Sequence, residues 1–204
     1  MFKKFASDAL GLSDIGRIVA PADYDKVDAD DYIFHEDQER IFFLIKSKMD
    51  EYCFTNRALL HVDGDSAVSS KRVMKRFEWY KYPVSAVTLE TAGKIDLDVE
   101  IKFHLGGEAY SIDVDKKQSG QLADLYKALY DISLLTSGNA TRHEEMLGAL
   151  DRGIEAVSDA RPTGTSKAED LRAVTEYAHQ WMEEARRRYV RKDFGEVFEK
   201  YINN

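Results

Sequence analysis

"YCFTNRALLHVDG", residues 52–64, holds the chain's single cysteine, Cys53, with Asn56 and His61 close behind it. Cysteine, histidine and asparagine are the parts of an activated thiol: a nucleophile, its base and the group that orients the base. The same letters also spell two short β-runs around a turn. Thr55-Asn56-Arg57 are turn residues, Phe54, Leu60 and Val62 are spaced as core positions, and Cys53 suits a small apolar filler. In such a hairpin Cys53 flanks the turn and His61 stands several residues up the partner strand, so the two are expected beyond contact. A reactive thiol also needs an electropositive, partly exposed setting, and nothing around Cys53 provides one. The hairpin reading is therefore preferred, and no catalytic residue is assigned.

The β character extends outward from this stretch. Ile95, Leu97, Val99, Ile101 and Phe103 alternate with Asp96, Asp98, Glu100, Lys102 and His104, the period of a strand with one face in a core. Gly106-Gly107 supplies a tight turn, and Tyr110, Ile112 and Val114 alternate on the return. "RIFFLIKSKM", "RVMKRFEWY" and "VSAVTLETAG" are further short β-rich runs, so an antiparallel sandwich or barrel is expected.

Helical spacing begins near residue 118. Leu122, Leu125, Tyr126, Leu129 and Ile132 form one stripe, with Ser119 as the expected N-cap. "TSGN" (136–139) reads as a linker, after which Thr141 with Glu144 and Ser166 with Glu169 read as capping boxes. Leu147, Leu150, Ile154 and Val157, then Leu171, Val174, Ala178, Trp181 and Ala185, give each helix of an αα-hairpin one apolar seam. The seam slips after Ala185, and Asp193 with Glu196 marks a separate short terminal helix or a kink. The expected division is 1–135 for the strand-rich domain with its capping helix and 136–204 for the helical hairpin.

The chain has 204 residues, 44% hydrophobic, enough for a real core, and a net charge of −8. The charge is −6 up to Leu135 and −2 beyond it. An acidic balance argues against general nucleic-acid binding, which needs a basic face. No apolar run reaches the length of a membrane span, and no signal peptide is read at the N-terminus. One cysteine excludes an internal disulfide framework and fits a reducing cytoplasm.

Four segments carry a family resemblance: "YCFTNRALLHVDGD", "YKYPVSAVTLETAG", the 95–114 hairpin and the 119–135 helix. "FTNRALLHVD" resembles the hairpin of bacterial pleckstrin-homology (PH-like) domains. "YPVSAVTLETAG" resembles that family's next block, where a strand enters through a proline and ends at a glycine. The tail is similar to the YvbH-like helical extension of one bacterial subgroup. The resemblance implies an α+β fold: an antiparallel PH-like barrel of about seven strands, capped by a helix and followed by an αα-hairpin. It also implies a homo-oligomer, with ring-forming relatives, the tail being the oligomerisation region.

Asp96, Asp98 and Glu100 put three carboxylates on one strand face, as any solvated strand does, so no metal ligand is assigned. The acidic run 23–39, eight acidic residues with one lysine, reads as a loosely ordered solvated loop. The basic run 71–81 offers Lys71, Arg72, Lys75, Arg76 and Lys81 as an anionic-ligand or lipid site, which would make the protein membrane-peripheral. On a strand these cations fall on two faces, which disperses them. "DFG" at 193–195 lacks every other kinase motif, and no phosphate-cradling loop is present. No cofactor is expected. The expected function is a non-enzymatic binding and assembly module, with Leu147, Leu150, Ile154, Val157, Leu171, Val174 and Trp181 as its interface.

Overall fold

The computed structural model describes residues 15–64, 72–91, 97–158 and 167–202. It separates into two compact units: residues 1–134 with 192–204, and residues 135–191.

Among the described residues, the first unit holds eight strands in two antiparallel sheets. β1 (Arg17–Ile18), β2 (Ile41–Lys46), β3 (Glu51–Thr55), β4 (Ala58–Gly64) and β5 (Arg72–Glu78) form one sheet in sequence order. β6 (Ser85–Glu90), β7 (Asp98–Leu105) and β8 (Glu108–Asp115) form the other. The strand beyond the expected seven is β1, only two residues long and without a readable alternation. It joins the sheets: Gly16 bridges Val114 in parallel, and its N–H donates to Asp113 O at 2.8 Å. The Gln118 amide completes the seam, accepting from Ile18 N at 2.8 Å and donating to Ile18 O at 3.0 Å.

The register confirms the opening hairpin. Phe54 opposes Leu59, Cys53 opposes Leu60, and Tyr52 opposes His61. The Thr55 hydroxyl oxygen accepts from the N–H groups of Arg57 and Ala58, which tightens the turn. In the later hairpin Gly106 and Gly107 both have positive φ, 62° and 85°. A Cβ on Gly106 would lie 2.3 Å from the Phe77 ring, so that position needs glycine for space as well as for backbone. Val99, Ile101, Phe103, Tyr110, Ile112 and Val114 face the core as expected. Leu97 does not: it precedes β7 and is 76% exposed.

The five-stranded sheet is covered on both faces. On the inner face Phe54, Trp79, Phe103 and Tyr110 form a ring cluster. The outer face is covered by the acidic segment, which is ordered rather than loose. It makes three 3-10 turns, Pro21–Lys26, Asp28–Tyr32 and His35–Asp37. Val27, Ala29 and Ile33 are buried there with Leu44, Cys53, Leu60 and Val62. The physical reason is that apolar residues are interspersed among the acids, and several of the acids find cations on the sheet.

α1 (Ser119–Ser158) is one continuous helix. Leu122, Leu125, Leu129 and Ile132 are fully buried, the expected stripe. Ser119 already has helical backbone, and the entry is capped one turn earlier, where the Asp115 carboxylate accepts from Lys117 N at 2.9 Å. "TSGN" is helical, not a linker. Thr136 and Asn139 are buried, and Thr141 bonds back to Ser137 O instead of capping a new helix. Tertiary burial has overridden weak helix propensity at these four positions. Ser166, and with it the second expected capping box, lies outside the described residues.

α2 (Lys167–Tyr189) runs back beside the second half of α1, over nearly the same length, about 35 Å each way. Asn139 Nδ2 reaches Arg191 O at 3.5 Å, so the two ends of this arm lie together. α3 (Gly195–Ile202) then belongs to the first unit. Residues 136–204 are therefore not one block: the last thirteen return to the strand-rich unit. The reason is apolar burial, since Phe194 and Phe198 are fully buried and Val197 nearly so, with Phe198 stacked on Phe42 at 5.3 Å and near Trp79 at 6.3 Å. Asp193 caps α3 by accepting from Gly195 N at 2.8 Å, which explains the isolated "DFG" structurally.

Candidate interaction surfaces

Cys53 and His61 are nearer than the hairpin argument predicted, one register step apart, yet they do not meet. Strand alternation sends Cys53 to the outer face with Leu60 and His61 to the inner face against Tyr52, whose ring is 4.5 Å away. Cys53 is fully buried. Burial pushes its thiol well above the usual value, and Glu51, Glu39 and Asp30 push the same way. His61 Nε2 lies 3.1 Å from the Asp50 carboxylate. Asn56 belongs to neither. Its Oδ1 accepts from Arg40 N at 2.9 Å, its Nδ2 donates to Asp193 at 2.6 Å, and its backbone O accepts from Phe194 N at 2.8 Å. It joins the hairpin turn, the start of β2 and the C-terminal segment.

The basic run is divided between the faces of β5, as its alternation implied. Arg72 pairs with Asp28 at 3.2 Å on the outer face. Arg76 reaches both oxygens of buried Glu39, at 2.9 and 3.1 Å, under the Phe34 ring. On the other face Lys75 bridges Asp63 at 3.5 Å and Glu108 at 3.2 Å. Lys81, in the turn beyond, pairs with Glu78 at 2.7 Å. Each of these four cations already has a carboxylate partner; Lys71 lies outside the described residues. Glu39 and Glu51, both buried, carry no periodic signature in sequence. Glu51 pairs with Lys46, its direct cross-strand neighbour on β2, whereas the partner of Glu39 is Arg76 of β5, legible only once the sheet has formed.

The carboxylate face of β7 is similarly committed. Glu100 accepts from the Ser111 hydroxyl and pairs with Lys102 at 2.9 Å, which holds it below the usual range. Its cross-strand neighbour Asp113 is held above that range, by burial first and then by the charges of Glu100 and Asp98. Asp96 lies outside the described residues. Among those that are described, no three His, Cys, Asp or Glu side chains gather as a metal group.

The second unit presents a different surface. Among the described apolar side chains of the hairpin, the buried ones are small or flexible: Met146, Ala178 and Ala185. The larger predicted interface residues stay open. Leu147 is 39% and Ile154 38% exposed, while Leu150, Val174 and Trp181 are half-buried. The side chains of Val157 and Leu171 lie outside the described residues. Between the helices runs an apolar groove of about 530 Å³ lined by Ala149, Gly153, Ile154, Ala173, Tyr177 and Trp181 among others. Tyr177 is 68% exposed on its wall. Ala149, Gly153 and Ala173 were not read from sequence as site residues; the available signal was a row of small residues beside the apolar seam.

The bacterial PH domain family matches residues 9–133. The chain belongs to that family. Behind the PH domain, residues 148–204 match the YvbH-like oligomerisation region. The chain is 55% identical to protein YvbH of Bacillus subtilis (strain 168), over the full length of both. It is also similar to the crystal structure of a PH-domain-containing bacterial protein from Exiguobacterium sibiricum 255-15. That similarity is 44% in sequence with a TM-score of 0.84, covering 93% of this chain and 100% of that one. The PH-family fold accounts for the two sheets and for the buried stripe of α1. The oligomerisation-region match spans both the open groove and α3, although α3 packs in the PH unit. No helix among the described residues is long and apolar enough to cross a membrane.

Proposed function

We propose that this protein is a non-enzymatic PH-like binding and assembly module, working in the cytoplasm, whose helical arm holds copies of the chain together. The groove between the second half of α1 and α2 carries this reading. It exposes Ile154 and Tyr177 beside a partly buried Trp181, within the segment that matches an oligomerisation region. A two-helix unit that leaves large apolar side chains open gains by burying them against another surface. Light scattering of the full chain tests the proposal. An assembly of at least twice 23.3 kDa is expected, and Tyr177→Asp, at an exposed helical position, is expected to shift it toward the single chain. A wild-type mass of one chain sinks the reading.

Anionic-lipid binding through Arg72, Lys75, Arg76 and Lys81 is the competing reading. No observation favours it, because a headgroup would have to displace a carboxylate at each position.

A further inference from the structure

We propose that the arm carries a site for a soft monovalent metal ion, Cu(I), between α1 and α2, formed by Met146, Met182 and His179. The sequence writes His-x-x-Met twice, at 143–146 on α1 and at 179–182 on α2. Residues three apart on a helix are neighbours on one face, so each motif sets a histidine position one turn from a methionine. The side chain of His143 lies outside the described residues. The antiparallel run of the helices brings the two motifs to nearly one level. Asn139 Nδ2 meets Arg191 O at 3.5 Å. Seven residues onward from Asn139 stands Met146, and seven residues back from Arg191 is position 184. Met182 and Glu183 are therefore within one turn of the level of Met146.

A cavity of about 160 Å³ lies at this level, distinct from the larger groove, and Met146, His179, Met182 and Glu183 line it with Leu147 and Arg186. Met146 is buried, Met182 partly buried and His179 exposed, so the thioethers form the inner side and the imidazole the side open to solvent. Packing alone would be served by leucine at both methionine positions and asks for no imidazole on the cavity wall. Two thioethers and an imidazole suit a soft ion of low coordination number. They select Cu(I) over Zn(II), which takes thiolate, imidazole or carboxylate, and over Mg(II) and Ca(II), which take oxygen. Glu183 and Arg186 cancel in charge, so a monovalent ion meets no net repulsion there. Thioethers are the larger part of this donor set, which is why no group of three His, Cys, Asp or Glu marks the place among the described residues.

Competition for Cu(I) against bathocuproine disulfonate, with ascorbate and without oxygen, tests this on the full chain. Stoichiometric binding, one ion to each chain, is expected. Met146→Leu and Met182→Leu keep the apolar volume, and each is expected to weaken binding about tenfold, as is His179→Gln. The double leucine variant is expected to lose it. Cys53 is the chain's single thiol and also a soft donor, so Cys53→Ala is run beside them and is expected to bind as wild type does. In wild-type protein labelled at the methionine methyl carbons, Cu(I) is expected to move the Met146 and Met182 signals and leave Met49 and Met74 in place, and Zn(II) to move none. Melting temperatures of the metal-free variants separate lost ligation from lost folding. No binding by the wild type, equal binding by a folded double leucine variant, or movement of Met49 and Met74 instead overturns the site. Binding lost in Cys53→Ala alone places the ion on the thiol and overturns it as well.

Discussion

Asn56 shows how one side chain can matter more for joining segments than for chemistry. Its amide satisfies Arg40 N and Asp193, and its carbonyl receives Phe194 N, so three distant stretches converge on a single turn residue. It is 3% exposed, and its partners would be left short of hydrogen bonds without it. Asn56→Ala is expected to cost about 2–3 kcal/mol, because a buried donor and acceptor lose their partners together. Urea unfolding reads this as a lower midpoint at an unchanged slope. A loss within the error of the extrapolation would show that the junction is dispensable. Cys53 makes the complementary point: its chemistry is suppressed by the same packing that makes it a useful filler.

The β7–β8 hairpin carries its own electrostatic signature. Asp98 opposes Asp115 and Glu100 opposes Asp113, two like-charge pairs on one solvated face. Ser111 and Lys102 rescue Glu100, while Asp113 bears the cost. Because Asp113 is raised in the folded state, folding favours its protonated form. That advantage is present below the unfolded carboxyl value and is lost as pH rises through the folded one. Asp113→Asn is therefore expected to raise the melting temperature at pH 7 and leave it unchanged at pH 3. Glu100 has the opposite sign: its contribution is present above the unfolded value and lost as pH falls through the lowered folded one. Glu100→Gln should lower the melting temperature at pH 7, with the difference closing in acid. Paired thermal melts across this range check both arms.

At the scale of the whole molecule, the arm is an insertion rather than a tail. The chain leaves the PH unit along α1, returns along α2 and comes back to supply Phe194, Val197 and Phe198 to the core. Burial of three such side chains contributes roughly 5–8 kcal/mol, comparable to the entire stability of many domains. A chain ending at Arg191 is thus expected to be unfolded or aggregated. Replacing residues 140–190 by a short Gly/Ser linker is expected to leave the PH unit folded, because Asn139 and Arg191 already lie in contact. Near-UV circular dichroism of the two variants distinguishes them, Trp79 serving as the buried reporter. If both fold equally well, α3 is not part of the core.

Local pattern was enough to read the strands, the glycine turn and the buried stripe of α1, since each is a periodicity of side chains along one element. It was also enough to raise the expectation that the arm's seams need another surface. What it could not show were relations across elements. "TSGN" looked like a break because its helix propensity is poor, and only burial of Thr136 and Asn139 made it helical. The acidic run looked loose because its few apolar residues have no period, and only the outer face of the sheet gave Val27, Ala29 and Ile33 somewhere to pack. The basic run looked available because its carboxylates, Glu78 apart, come from four other segments. The return of α3 was invisible for the same reason: the groove beside Phe42 and Trp79 that receives Phe198 exists only after the sheets have come together. Periodicity belongs to a single element, whereas burial and charge pairing belong to the folded chain.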